Sequence, residues 1–121
     1  METQMEQQRG QVKVASGLNV LLGIWLLVAP FILGYSGVAA GLWNDIIVGA
    51  LVLILAGVRV WKPAHNRWLS WTNVLLGIWL AAAPFILGYS EIAAAMWNDI
   101  IVGIAIIVLG AWSAVATPET A

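Results

Sequence analysis

Two copies of a Trp-Asn-Asp motif hold the side chains of this sequence most able to do chemistry. The first copy is Trp43-Asn44-Asp45 and the second is Trp97-Asn98-Asp99. An Asn or Asp at the start of a helix accepts hydrogen bonds from free backbone N–H groups and suits the positive end of the helix dipole. We therefore expect these Asn and Asp residues to cap two helices. A carboxylate within or beside a long apolar segment is also a candidate cation or proton site, and this remains the alternative.

A second repeated pattern places an amide and a glycine on one helical face. The amide and the glycine are four residues apart, and a further glycine follows on the next apolar segment. In lipid, small residues let helix backbones approach closely, and amide side chains can hydrogen-bond between helices. We expect a helix-packing role, with a polar substrate contact as the alternative for the two asparagines. The residues concerned are Asn19, Gly23, Gly49, Asn73, Gly77 and Gly103.

The remaining composition argues against catalysis. The chain has no cysteine and one histidine, His65, in a predicted loop. Disulfides and thiolate metal sites are thereby excluded. Catalysis generally needs a nucleophile, a base or metal ligands within mutual reach, and no such group is evident. We expect no enzymatic activity, no metal and no cofactor, and the net charge of -1 predicts no nucleic-acid partner.

These motifs occur twice because the chain contains an internal duplication. Residues 19–26 recur at 73–80, and residues 29–36 recur at 83–90, at a constant offset of 54 residues. About two thirds of positions 19–57 match their counterparts, which indicates a true repeat. Each repeat should therefore form the same local structure, and a feature argued for one repeat applies to the other.

The elements that position the motifs are apolar helices in a lipid bilayer. Apolar residues make up 62% and charged residues 9% of the 121 residues, against about 45–50% and about 25% in soluble domains. Each apolar stretch has close to the roughly 20 residues that a helix needs to cross the hydrocarbon. The sequence predicts an all-α membrane protein with four transmembrane helices, formed by two tandem helical hairpins in the same orientation. The predicted spans are residues 14–33, 44–60, 68–87 and 98–116.

The segments outside the spans are short and polar. We expect residues 1–13 to form a polar cytoplasmic tail and residues 61–67 a basic cytoplasmic loop between repeat 1, residues 14–60, and repeat 2, residues 68–116. Residues 117–121 form the C-terminal tail. Both tails should be poorly ordered unless a partner holds them.

Basic residues predict the orientation of the chain in the membrane. The five Lys and Arg residues all lie in the N-terminal tail or around the central loop, and the other two connections contain none. Short basic loops remain in the cytoplasm, so both termini are predicted to be cytoplasmic. Since each repeat crosses the membrane twice, the repeats should be related by a pseudo-twofold axis along the membrane normal. The basic residues are Arg9, Lys13, Arg59, Lys62 and Arg67.

Tryptophans are predicted at interfaces. Most lie at the expected membrane–water boundaries, where amphipathic rings are favoured. Trp25 and Trp79 lie well round the helix from the Asn/Gly stripe, so we expect them to face lipid, the other repeat or a partner subunit. The candidate interface or partner-contact residues are Trp25, Trp43, Trp61, Trp68, Trp71, Trp79 and Trp97.

The repeated pattern resembles the SPW-repeat membrane proteins of bacteria. The resemblance covers Leu18 to Val115 and rests on Asn-x3-Gly-x-Trp, a small-Pro-aromatic triplet and Trp-Asn-Asp. Here the triplet reads Ala29-Pro30-Phe31 and Ala83-Pro84-Phe85 where the family has Ser-Pro-Trp. The resemblance implies a four-helix build in the bacterial cytoplasmic membrane, and it implies no activity.

Two functional interpretations follow from these observations. The first is a structural or accessory protein that packs in a homo-oligomer or as a small subunit of a larger membrane complex. The alternative is a small transporter or channel that uses the Asn and Asp positions of the two repeats, although no acidic residue is predicted at mid-depth in the membrane. The expected partners are the lipid bilayer and other membrane-embedded chains.

Overall fold

The structure, a computed structural model, describes residues 2–64 and 66–118, with the backbone alone at Glu2. It contains four helices and, within these residues, no strand. Each helix is long and apolar enough to cross a membrane. The predicted all-α fold with four membrane-spanning helices is confirmed. The helices are α1 Glu2–Ile32, α2 Ala39–Trp61, α3 Arg67–Ile86 and α4 Ala93–Ala116.

The N-terminal tail differs from the prediction because it is helical. Residues 2–13 continue α1 without a break, and Val12 is fully buried. Gln, Glu, Met and Arg are good helix formers, and adding residues to an existing helix avoids the cost of nucleation. At the other terminus Thr117 is buried after the end of α4, so this part of the predicted tail is also held in place. Residues 119–121 lie outside the described residues.

Two equivalent turns connect the helices of each hairpin. Gly34 and Gly88 have φ of 84° and 83°, a left-handed conformation that glycine adopts without steric cost. The N–H groups of Tyr35 and Tyr89 donate to the carbonyls of Pro30 and Pro84, each over 2.9 Å. This hydrogen bond, which closes the last turn of the helix, is characteristic of a Schellman motif. The turn directs both tyrosines into the bundle, where they are 2% exposed.

The two helices of each hairpin pack with their backbones in direct contact. A Cβ built on Gly49 would lie 2.8 Å from the carbonyl oxygen of Gly23, and one on Gly103 would lie 2.7 Å from that of Gly77. Such distances leave no room for a side chain. The hairpins then meet through α1 with α4 and α2 with α3, which closes a four-helix bundle.

The middle of the bundle is closed by apolar side chains, which we call the apolar layer. It separates two polar ends. The tyrosine end holds the turns 33–38 and 87–92, and the arginine end holds residues 62–64, Asn66 and Thr117. The outward surface is apolar along most of its length, as expected of a chain with lipid around it. The residues of the apolar layer are Leu26, Val48, Val52, Leu80, Val102 and Ile106.

Candidate functional site

Two buried carboxyl groups meet at the tyrosine end. Asp45 of α2 and Asp99 of α4 are both 0% exposed, and their carboxyl groups lie within hydrogen-bonding reach of each other. Oδ1 of Asp45 is buried and has no hydrogen-bond donor among the described residues. The two acids occupy equivalent positions of the repeats, so the structure joins the repeats through the same residue from each.

A tyrosine hydroxyl donates to each carboxyl group. Tyr35 donates to Oδ2 of Asp45, and Tyr89 donates to Oδ2 of Asp99 over 2.6 Å. The two phenol rings lie side by side, since both are within 3.6 Å of the position that a Cβ on Gly41 would take. Burial, followed by the hydrogen bond to the neighbouring acid, raises the pKa of both tyrosines above the ordinary value. Both hydroxyls therefore remain protonated donors at neutral pH.

Two asparagine amides cross from one repeat to the other. Asn44 donates to the hydroxyl of Tyr89 over 2.9 Å, and Asn98 donates to the hydroxyl of Tyr35 over 3.0 Å. Each tyrosine hydroxyl thus receives a hydrogen bond from the opposite repeat while it donates to the acid of its own repeat. Each hydroxyl therefore donates one hydrogen bond and accepts another.

Two indoles complete this network. Trp25 Nε1 donates to Oδ1 of Asn98 over 2.8 Å, and Trp79 Nε1 donates to Oδ1 of Asn44 over 2.8 Å. Of the three environments predicted for these tryptophans, the structure places their polar edges against the other repeat. We call the eight side chains the cross-repeat network: Trp25, Tyr35, Asn44, Asp45, Trp79, Tyr89, Asn98 and Asp99.

The predicted capping role of the Trp-Asn-Asp motifs is wrong. The helices begin five residues before the two asparagines, at Ala39 and Ala93, and the residues in the N-cap positions are Val38 and Ile92. Neither makes a side-chain capping hydrogen bond. The preceding alanines are the best helix formers and extend the helices, so the motifs fall in the second turn and point inward. The residues concerned are Asn44, Asp45, Asn98 and Asp99.

The residues expected to pack helices fall into two groups. The four glycines form the close backbone contacts within the hairpins. Asn19 and Asn73 are buried, at 1% and 2% exposure, but their Oδ1 atoms have no hydrogen-bond donor among the described residues. Their burial is compatible with the predicted packing role, but these two amide oxygens contribute no hydrogen bond between helices within the described residues.

A polar cluster at the arginine end was missed in the sequence. Arg59 lies in the last turn of α2 and is 0% exposed, although the sequence suggested only an orientation signal. Its Nε donates to Ser70 Oγ over 2.9 Å, and its Nη2 donates to Thr117 Oγ1. Ser113 Oγ lies 2.8 Å from both Ser70 Oγ and Ser16 Oγ. Arg59 lies fourteen residues after Asp45, so both residues lie on the same helical face. This spacing is the feature of the sequence that could have predicted the burial of Arg59.

The remaining predicted tryptophans lie on the outer surface. The Nζ of Lys62 stands 5.1 Å from the ring centre of Trp61, a cation–π contact at the arginine end. The exposed tryptophans are Trp43, Trp61, Trp68, Trp71 and Trp97.

In the part of the chain that the structure describes, no group of three or more His, Cys, Asp or Glu side chains is placed to hold a metal.

Comparison with known proteins bears on both repeats. Neither the curated proteins nor the solved structures gave a match. The SPW repeat domain matches residues 13–113, a range that includes most of both hairpins and all eight residues of the cross-repeat network. The Ala-Pro-Phe triplets lie inside the matched range, so the exchange of Ser and Trp leaves the family pattern recognisable. The chain belongs to the SPW repeat family.

Proposed function

We propose that this membrane protein has a structural or accessory role, acting by packing against other membrane-embedded chains. It does so in a homo-oligomer or as a small subunit of a larger complex. The observation that supports this role is the apolar layer. Four of its side chains, Leu26, Val52, Leu80 and Ile106, are fully buried, and they separate the polar groups of the two ends. The polar side chains of the cross-repeat network are in turn bonded to one another, which leaves the outer surface for partners.

Two glycines of the first repeat are replaced by larger residues at the matching positions of the second repeat. Gly17 and Gly57 have open space where a Cβ would be, and the second repeat has Trp71 and Ala111 at the matching positions. Small outward residues allow another helix to approach closely in lipid. We therefore propose that the first repeat provides the contact surface.

The test is the mass of the particle in the membrane and after gentle extraction. Cross-linking in native membranes and native mass spectrometry should give a particle larger than the 13.0 kDa chain. Gly17→Trp, which installs the residue of the second repeat, should reduce association. Leu75→Trp is the matched control, because it enlarges an exposed side chain of the second repeat. A monomer in both measurements would refute the proposal.

A second candidate is a small transporter or channel. The buried pair Asp45 and Asp99 favours it, because intramembrane acids commonly bind protons or cations. The apolar layer argues against it, since it interrupts any polar route between the ends. Flux of protons or monovalent cations into proteoliposomes would support this candidate if Asp45→Asn combined with Asp99→Asn abolished it. Flux equal to that of empty vesicles would exclude it.

The orientation with both termini in the cytoplasm of a bacterial cell is part of the proposal. It is supported by the positions of the basic residues and by the family resemblance. Lys13 and Lys62 are the two lysines of the chain, so an impermeant amine reagent reports directly on the arginine end. Spheroplasts should protect both lysines, and lysis should expose them. Labelling of Lys62 in intact spheroplasts would reverse the orientation.

A further inference from the structure

We propose that Asp45 and Asp99 bind one proton between their carboxyl groups, and that this shared proton joins the two repeats at the tyrosine end. The site would be a proton-binding site formed by one residue from each repeat. It lies inside the chain, so it is independent of whether the protein associates with a partner.

The hydrogen-bond pattern around the acids leaves one position unfilled. Tyr35 and Tyr89 donate to the Oδ2 atoms, while Oδ1 of Asp45 has no donor within the described residues. The carboxyl group of Asp99 lies within hydrogen-bonding reach of the Asp45 carboxyl group. Two ionised carboxylates offer only acceptors, so they cannot bond to each other. One added proton turns the contact into a donor and an acceptor and allows the two buried carboxyl groups to bond to each other.

The charges around the pair also favour a proton. Two negative charges in contact in a medium of low polarity repel strongly. Among the described residues, the hydrogen-bond donors to the pair are neutral: the two tyrosines from the turns, and the Asn98 amide at Oδ1 of Asp99. The indoles that α1 and α3 bring to this end are also neutral, and they donate to the two asparagines. Glu91, the other acid of this end, is exposed. The five Lys and Arg residues all lie in the first half of α1 or in and beside the segment that joins α2 to α3, away from the tyrosine end.

A metal cation fits the same pair less well. Hard cations in proteins take several oxygen ligands, typically six or more for calcium. Here the tyrosine oxygens already accept hydrogen bonds from Asn44 and Asn98, and the amide oxygens accept from the two indoles. The two carboxyl groups are also already in direct reach of each other. A proton needs only the two carboxyl oxygens that the structure brings together.

The test counts the protons released when the protein is unfolded by transfer from mild detergent to SDS at neutral pH. Unfolded aspartates are ionised at this pH, so any proton held by the folded pair is released. The double variant Asp45→Asn/Asp99→Asn is the reference that removes contributions from other groups. Relative to it, the wild type should release one proton per chain, and either single variant should release none, since the new amide donates to the remaining carboxylate.

Other counts would overturn the proposal. Two protons from the wild type and one from each single variant would mean that burial protonates each acid separately. No proton from the wild type would mean that both acids are ionised, and stabilisation by added sodium or calcium chloride would then identify a cation site.

A spectroscopic measurement on the wild type removes the dependence on well-folded variants. The infrared spectrum in lipid vesicles should contain the C=O band of a protonated, deuterium-sensitive carboxyl group at neutral pH. Its absence would refute the shared proton. In addition, the unfolding equilibrium constant should rise about tenfold for each pH unit near neutrality, because unfolding releases one proton. A wild-type constant that is independent of pH would also contradict it.

Discussion

The glycine contact within each hairpin gives the most direct test of the packing. In Gly49→Ala the new Cβ would lie 2.8 Å from the carbonyl oxygen of Gly23 and 2.8 Å from the Cβ of Leu26. Neither atom can rotate away, because one belongs to the backbone and the other is fixed to it. Reaching an ordinary contact of 3.4 Å requires α1 and α2 to separate by about 0.6 Å, and overpacking of this kind costs about 1–3 kcal/mol.

Gly57→Ala is the matched control in the same helix. Its Cβ meets nothing within 4 Å, so it adds the helix propensity of alanine without a steric cost. This propensity gain, about 0.8–1 kcal/mol in water, applies equally to Gly49→Ala. The difference between the two variants therefore isolates the contact, and Gly49→Ala should be less stable than Gly57→Ala by about 1–3 kcal/mol.

The assay is reversible unfolding by SDS in mixed micelles, followed by circular dichroism. Gly103→Ala, whose Cβ would lie 2.7 Å from the carbonyl oxygen of Gly77, should reproduce the loss in the second repeat. A difference below about 0.5 kcal/mol between Gly49→Ala and Gly57→Ala, the range of ordinary surface substitutions, would show that the hairpin backbones are not in contact.

Three further predictions concern the cross-repeat network. Tyr89→Phe removes the acceptor of the Asn44 amide N–H and the donor to Oδ2 of the buried Asp99, so it should cost about 1–3 kcal/mol in the same unfolding assay; an unchanged midpoint would contradict this. Trp25→Phe removes one indole donor and should cost about 0.5–1.5 kcal/mol, whereas Trp43→Phe, on the exposed surface, should stay within about 0.5 kcal/mol. Finally, Tyr35 and Tyr89 have a higher pKa in the folded chain than in the unfolded chain. Their protonated hydroxyls therefore stabilise the fold at pH values below the ordinary tyrosine pKa of about 10, and this stabilisation is lost as the pH rises through the pKa of the folded state. Tyrosinate absorbance should thus develop at higher pH in the folded chain than in the SDS-unfolded chain, and coincident titrations would refute it.

The repeat and the helical periodicity made most of the fold predictable. The constant offset predicts two hairpins, and the spacing of four residues between Asn19 and Gly23 predicts that they share one face of their helix. The sequence does not reveal the helix starts, because the alanines before each Trp-Asn-Asp motif are compatible with both a loop and a helix. Their helix propensity moved Asp45 and Asp99 from a terminus to an inward-facing second turn.

The direction of the two tyrosines was harder to predict from sequence. An aromatic residue near a predicted span end fits the membrane interface, and only the left-handed turns at Gly34 and Gly88 send Tyr35 and Tyr89 inward. The contact between the two acids, in contrast, could have been anticipated from the duplication. Two copies related by a twofold axis bring any residue close to that axis against its own counterpart. The pattern within a single repeat does not reveal such a contact.

The reciprocal bonds between the repeats have a consequence for how such a protein can be assembled. The amide of each repeat reaches the tyrosine of the other, so a lone hairpin would keep its donors and acceptors unmatched in the hydrocarbon. Two hairpins encoded as separate polypeptides could satisfy one another by dimerising in the same orientation. Joining them through the loop 62–66 replaces that encounter with an intramolecular one at high effective concentration. The fused gene then fixes the stoichiometry and lets the two halves diverge, as Gly17 and Trp71 have done.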